Sequence, residues 1–165
     1  ILAFHGIKQL NHSPSIGLKA IINVCGLNEK EININDIIFK IGPRINASGR
    51  VQQGKVAVDL LIENNLKAAI EMSHQINEMN EARKELDKSM TEEANRIVEG
   101  LESFDERRAI VIFNPDWHRG VIGIVASRLC EKYAKPAIVL SSQEGIANGS
   151  ARSVKGFSIY EALKD

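Results

Sequence analysis

The chain has 165 residues, with 21 basic and 21 acidic side chains and no formal net charge. That length suits one ordinary domain or two small ones, and 44% hydrophobic residues is enough to fill a core, which argues against wholesale disorder. No apolar run approaches the roughly 18 residues a membrane helix needs, and the zero sum argues against a uniformly basic nucleic-acid binder.

The opening ILAFHGIKQLN lacks the basic start and sustained apolar stretch of a signal peptide. With Ile1 in place of an initiator methionine, it reads as ordered structure inside a longer protein. Residues 14–25 predict a short helix, capped by Ser13 or Ser15 and closed by Gly26 in a left-handed conformation. A polar connection, NEKEININ, follows. The stretch DIIFKIGPRINASGR fits no simple period, because Pro43 breaks a helix through it while Gly42 and Gly49 permit unusual backbone angles. A Gly/Pro/Asn/Ser-rich turn is expected there. A second helix covers Gly54 to Glu63.

From about Leu66 to Leu101 an apolar stripe repeats every 3.5 residues on average, and no Gly or Pro interrupts it before Gly100. A helix of that length is roughly 50 Å long, so it either joins a coiled coil or bridges two lobes. Beyond it the pattern changes. AIVIF (109–113) predicts a buried strand, NPDWHRG a loop, VIGIVASRLCEKY (121–133) a helix and PAIVL (136–140) another strand. That order is a βαβ unit with a parallel pair. GIANGSARSVKG (145–156) is turn-rich with room for a short strand, and SIYEALKD opens a helix with Ser158 as its cap and Glu161 three residues on.

The zero net charge is a cancellation. Residues 1–62 carry +3, residues 63–106 carry −7, residues 107–155 carry +5 and residues 156–165 carry −1. Two basic segments therefore flank an acidic helix. They are either solvated surface or walls for a phosphate-bearing ligand. In GPRINASGR, Arg44 and Arg50 stand six apart among small residues that let a phosphate approach the backbone. Equally, one arginine could pair with the acidic helix while Asn46 caps a turn. In GSARS, Ser150 and Arg152 are two apart, so an extended backbone sends both to one face, beside the Gly149 amide. They make an anion site or an ordinary surface turn. WHRGVIG predicts a strand-to-helix junction whose free amides attract anions. There His118 either contacts substrate or hydrogen-bonds locally, and Trp117 either stacks on a base or packs in the core.

Neither GxGxxG nor GxxxxGK[ST] occurs, nor DxD, HExxH or a nucleophile elbow, and no carboxylates stand at convincing metal-ligand spacing. Cys25 and Cys130 form no CxxC pair and no disulfide framework, which makes the reducing cytoplasm the default compartment.

Two separated motifs now coincide. IGPRINASGRV resembles the PRINAxGR segment of the RecJ family of single-strand-specific 5′ exonucleases, within the DHH phosphoesterase superfamily. DWHRGVIGIVASRLCEKYAKPAIVL, followed by GSARSVKGF, resembles that family's DHH-associated domain, and the order and the long intervening helix also match. The resemblance runs from Ile41 to Phe157.

It implies an α/β fold: the C-terminal part of a DHH domain over 1–64, a long connecting helix over 65–104 and a partial DHH-associated domain with the βαβ unit over 105–165. A DNA groove would lie between the two domains. It implies 5′-to-3′ removal of nucleotides from single-stranded DNA in recombination and repair. Mn²⁺ or Mg²⁺ would be held by Asp and His residues upstream of residue 1. No catalytic residue or metal ligand carries over to this chain, which would be inactive alone. Arg44 or Arg50, with Asn46 beside them, would hold DNA phosphates near the metal centre, Ser150 and Arg152 would recognise the 5′ phosphate or the adjacent backbone, and His118 would line the groove. The implied partners are single-stranded DNA, a single-strand-binding protein and a repair helicase, with no membrane and a monomeric state. Two other readings stand beside this one. One is a related phosphoesterase acting on oligonucleotides, cyclic dinucleotides or pyrophosphate. The other is a non-catalytic adaptor dimerising through its long helix, against which Arg83 at a seam position counts.

Overall fold

The computed structural model describes residues 1–51 and 54–164. Two compact units divide the chain, residues 1–83 and 84–165. Among the described residues no helix is long and apolar enough to cross a membrane.

The first unit is helical. α1 (Leu2–His12) precedes α2 (Ile16–Val24), whose Ser15 cap accepts from the Leu18 amide at 3.4 Å. After α2, Gly26 takes φ +66°, the left-handed geometry its position predicts. α2 crosses α5 (Lys55–Ile62) so closely that a Cβ on Gly17 would collide with the Leu60 carbonyl. Only glycine permits that approach. Ile21, Leu27, Leu60, Ala69 and Ile76 are buried at the centre of this unit.

The stretch expected to be a turn is instead one continuous helical run. α3 (Ile34–Asp36) leads into a wider π-helical turn over Ile37–Ile41 and then into α4 (Gly42–Val51). The Gly42 amide donates five residues back, to Ile37. In an ordinary α-helix the Pro43 ring would clash with the carbonyl four residues earlier, and its missing N–H would leave a gap. The wider turn absorbs both defects. A Cβ on Gly42 would stand 3.0 Å from the Ile37 carbonyl oxygen, so the glycine here serves close packing, not a positive φ.

Asn33 and Asp36 start this run with a capping box. Asn33 Oδ1 accepts from the Asn35 and Asp36 amides at 2.9 and 3.2 Å, and Asp36 Oδ2 accepts from the Asn33 amide at 3.3 Å. Asp36 is buried, and Lys30 and Lys40 reach its Oδ1 at 2.7 and 3.4 Å.

α6 (Leu66–Glu99) is a single 34-residue helix. Its buried stripe takes Ala69 and Ile76 into the first core and Met90, Ala94 and Val98 into the second. Among the described residues, the helix therefore spends its apolar face within the chain.

The second unit is a three-stranded sheet, β1 (Ile110–Phe113), β2 (Ala137–Gln143) and β3 (Ile146–Arg152), in that order. β1 and β2 are parallel, from Ile110 opposite Ala137 to Phe113 opposite Leu140, with α7 (Arg119–Tyr133) between them in sequence. This is the expected βαβ unit. β1 is only half-buried, however: Ile110 and Ile112 face the core, while Val111 and Phe113 are 57% and 52% exposed. α7 and α6 cover one face, and β1 alternates accordingly. β2 and β3 form an antiparallel hairpin over the two-residue turn Glu144–Gly145, both with positive φ. Ser158 caps the short α8 (Ile159–Ala162), accepting from the Glu161 amide at 3.3 Å.

The Asp36 carboxyl is held below the usual carboxylate range. The Lys30 hydrogen bond lowers it most, burial opposes, and the Asn33 amide and Lys40 add to the lowering. A depressed native pKa contributes stability above the unfolded value and loses it as the pH falls through the native one. The first unit should therefore lose stability on acidification below the ordinary carboxylate range. Asp36→Asn should be less stable at neutral pH and show a flatter acid limb, read by circular dichroism melts between pH 2 and 7.

Candidate functional site

The six residues singled out from sequence fall in two places, one in each unit. In the first, Arg44, Asn46 and Arg50 ride on α4. At about 100° per residue, Asn46 and Arg50 share a face and Arg44 lies on the other side. The structure thus separates the two arginines. Arg44 is half-buried, and its Nε donates to Asn77 Oδ1 of α6 at 2.9 Å while its Nη1 donates to the Lys40 carbonyl at 2.9 Å. Asn46 and Arg50 are exposed. Asn46 lies inside a helix and caps no turn. Burial pushes the nearby Cys25 thiol up, and the Arg44 and Lys40 charges oppose that rise.

In the second unit, β3 lies opposite β2 with Ser150 across from Val139 and Arg152 across from Ala137. Val139 and Ala137 are buried toward α7, so Ser150 and Arg152 point to that same side. Arg152 Nη1 donates to Ser150 Oγ at 3.1 Å and to the Ala151 carbonyl at 2.8 Å. Its Nε donates to Ser127 Oγ of α7 at 3.0 Å. A Cβ on Gly149 beside them would have to displace the Leu140 side chain and would stand 3.3 Å from the Val139 carbonyl oxygen.

His118 is the N-cap of α7. Its Nδ1 accepts from the Gly120 amide at 3.1 Å, which leaves Nε2 as the donor of the neutral ring. Arg119 Nη1 donates to Gln143 Oε1 at 2.8 Å. Trp117 is a core residue, 5% exposed, with its indole N–H donating to Glu93 Oε2 at 2.7 Å. Asn114 donates to the other oxygen of Glu93 at 2.9 Å. Its ring is not available for stacking on a base.

Sequence reasoning missed Gly123 and Ser127, which face the Ser150–Arg152 pair from α7. Gly123 carried one signal: an isolated glycine within a helical pattern costs stability relative to alanine and calls for a packing or functional reason. Ser127 carried none. Among the described residues no three His, Cys, Asp or Glu side chains gather as metal ligands would.

Residues 106–165 match the DHHA1 domain model. Over 169 aligned residues, all of this chain and 21% of the relative, the chain is 38% identical to the single-stranded-DNA-specific exonuclease RecJ of Bacillus subtilis. It is 34% identical to the Haemophilus influenzae protein of the same name, over 99% of this chain and 29% of that one. Among solved structures, exonuclease RecJ bound to manganese superposes over 96% of this chain and 38% of its own, with TM-score 0.79 and 28% identity. RecJ of Thermus thermophilus in complex with Mg²⁺ covers 96% of this chain and 24% of its own, with TM-score 0.80 and 28% identity. Along nearly its whole length the chain is similar to RecJ exonucleases. It spans about a fifth to under a third of the length of these curated relatives.

Replacing Trp117 with Phe keeps most of the core volume and removes the donor to Glu93. A hydrogen bond to a charged group contributes about 1.5–3 kcal/mol. Trp117→Phe should lower stability in denaturant melts by that amount, the melts being followed by circular dichroism.

Proposed function

We propose that this chain supplies DNA binding and 5′-phosphate recognition to a single-stranded-DNA-specific exonuclease that digests 5′ to 3′ in recombination and repair. The observation that carries this reading is the Ser150–Arg152 pair on one strand, with the guanidinium braced by two serine hydroxyls and a carbonyl. A braced guanidinium offers charge-assisted donors in a set direction, which suits phosphate. In the same reading Arg44, Asn46 and Arg50 hold backbone phosphates, and His118 presents its Nε2 donor at the start of α7. Residues 1–64 are the C-terminal part of a DHH domain, 65–104 the connecting helix and 105–165 part of the DHH-associated domain.

Bond cleavage in this reading depends on Mn²⁺ or Mg²⁺ held by residues outside these 165. Both are hard cations that take carboxylate and water oxygens, and the described residues assemble no such set. The protein acts in the cytoplasm as a monomer on single-stranded DNA, alongside a single-strand-binding protein and a repair helicase. The adaptor reading is disfavoured by α6, whose apolar stripe is used in two cores of its own chain.

Two measurements test this. With Mn²⁺, the purified 165-residue chain should bind single-stranded DNA and release no nucleotides; robust 5′ digestion after contaminant controls would overturn the binding-only role. Arg152→Ala should lower the preference for 5′-phosphorylated over 5′-hydroxyl oligonucleotides about tenfold or more, while affinity for the 5′-hydroxyl strand changes little. Equal loss on both strands would refute end recognition.

A further inference from the structure

We propose that Gly123 and Ser127 of α7 are positioning residues that set Arg152 for a terminal phosphomonoester; this rests on the reading of Ser150 and Arg152 as the phosphate site. An exposed arginine normally samples many rotamers, and holding one of them must be arranged by its neighbours. Ser127 does this through a directional relay. Its hydroxyl donates its single hydrogen to the Gly123 carbonyl at 3.0 Å, so its lone pairs are left to accept from Arg152 Nε at 3.0 Å. Gly123 supplies the space. A Cβ there would stand 3.1 Å from Ser150 Oγ and 3.3 Å from Arg152 Nη2, tighter than side chains ordinarily pack. The guanidinium therefore lies directly against the α7 backbone at a position without a side chain.

Counting donors gives the ligand chemistry. A guanidinium has five N–H groups. Nε is taken by Ser127, and Nη1 serves Ser150 and the Ala151 carbonyl. Both hydrogens of Nη2 remain, and Ser150, which accepts from Nη1, keeps its own hydroxyl hydrogen to donate. Three donors thus stand beside Gly123, on Ser150 Oγ and Arg152 Nη2. A terminal phosphomonoester has three non-bridging oxygens and close to two negative charges, and it fills that set better than an internal phosphodiester with two oxygens and one charge. Alanine at 123 would favour the helix by its intrinsic propensity while pushing the guanidinium off this line. Stability and recognition should therefore move in different directions there.

The test compares binding of 5′-phosphorylated and 5′-hydroxyl strands of one sequence to the 165-residue chain, with melting temperatures taken in parallel. Ser127→Ala should lower the phosphate preference at least threefold with the 5′-hydroxyl affinity unchanged, and Ser127→Thr, which keeps the hydroxyl, should restore it. Gly123→Ala should lower the preference similarly without lowering the melting temperature. If Arg152→Ala leaves the preference intact, or the wild-type chain has none, the reading of the pair itself fails. If Arg152→Ala lowers the preference while Ser127→Ala and Gly123→Ala keep it, or if either lowers affinity for both strands equally, the positioning role alone is overturned.

Discussion

A helix about 50 Å long presents far more apolar stripe than one small core can cover. α6 meets that constraint by dividing its stripe. Ala69 and Ile76 enter the core built from α2 and α5, whereas Met90, Ala94 and Val98 enter the core beneath the sheet. Between these two sets, beside Met79, buried positions become polar. Asn80 and Asp87 are almost fully buried, Arg83 reaches Asn80 Oδ1 at 3.3 Å, and Arg128 of α7 binds Asp87 at 2.7 Å. The change from apolar to polar falls where one compact unit gives way to the next, at residues 83 and 84. The same ion pair ties α7 to α6 within the second unit, and α7 in turn carries Gly123 and Ser127.

The geometry of the Ser150–Arg152 pair depends on strand register as much as on residue type. Side chains in a strand alternate between faces, so a slip of one residue between β2 and β3 would turn both Ser150 and Arg152 away from α7. The Glu144–Gly145 turn and the space that Gly149 leaves for Leu140 hold that register. Three glycines thus sit at close approaches: Gly17 under the Leu60 carbonyl, where only glycine fits, and Gly149 and Gly123 where a Cβ would press on the Leu140 side chain and on the guanidinium.

Much of the secondary structure was legible. α2 with its Ser15 cap, α5, the long α6 and the parallel pair around α7 follow from capping residues and periodicity. The π-helical turn before Pro43 was not, because proline and glycine together read as a break and the wide turn that accommodates them leaves no periodic trace. That misreading mattered for the site. As a turn, GPRINASGR could bring Arg44 and Arg50 together; as a helix, it sends Arg44 to Asn77 and leaves Arg50 exposed beside Asn46. His118 as a cap was hidden by its residue type, since Ser, Thr, Asp and Asn are the usual caps.

What the sequence by itself determined was local and periodic: the helical stripe, the βαβ order, the alternation that puts Ser150 and Arg152 on one face, and the opposed charges of α6 and its flanks. Only the tertiary structure decided what each of those side chains meets. It gave Trp117 to Glu93 and the core, Arg44 to α6, and Arg152 to Ser127, a residue 25 positions away in the chain. Periodicity constrains the direction of a side chain within its own element, whereas its partner is set by which other element packs against that face.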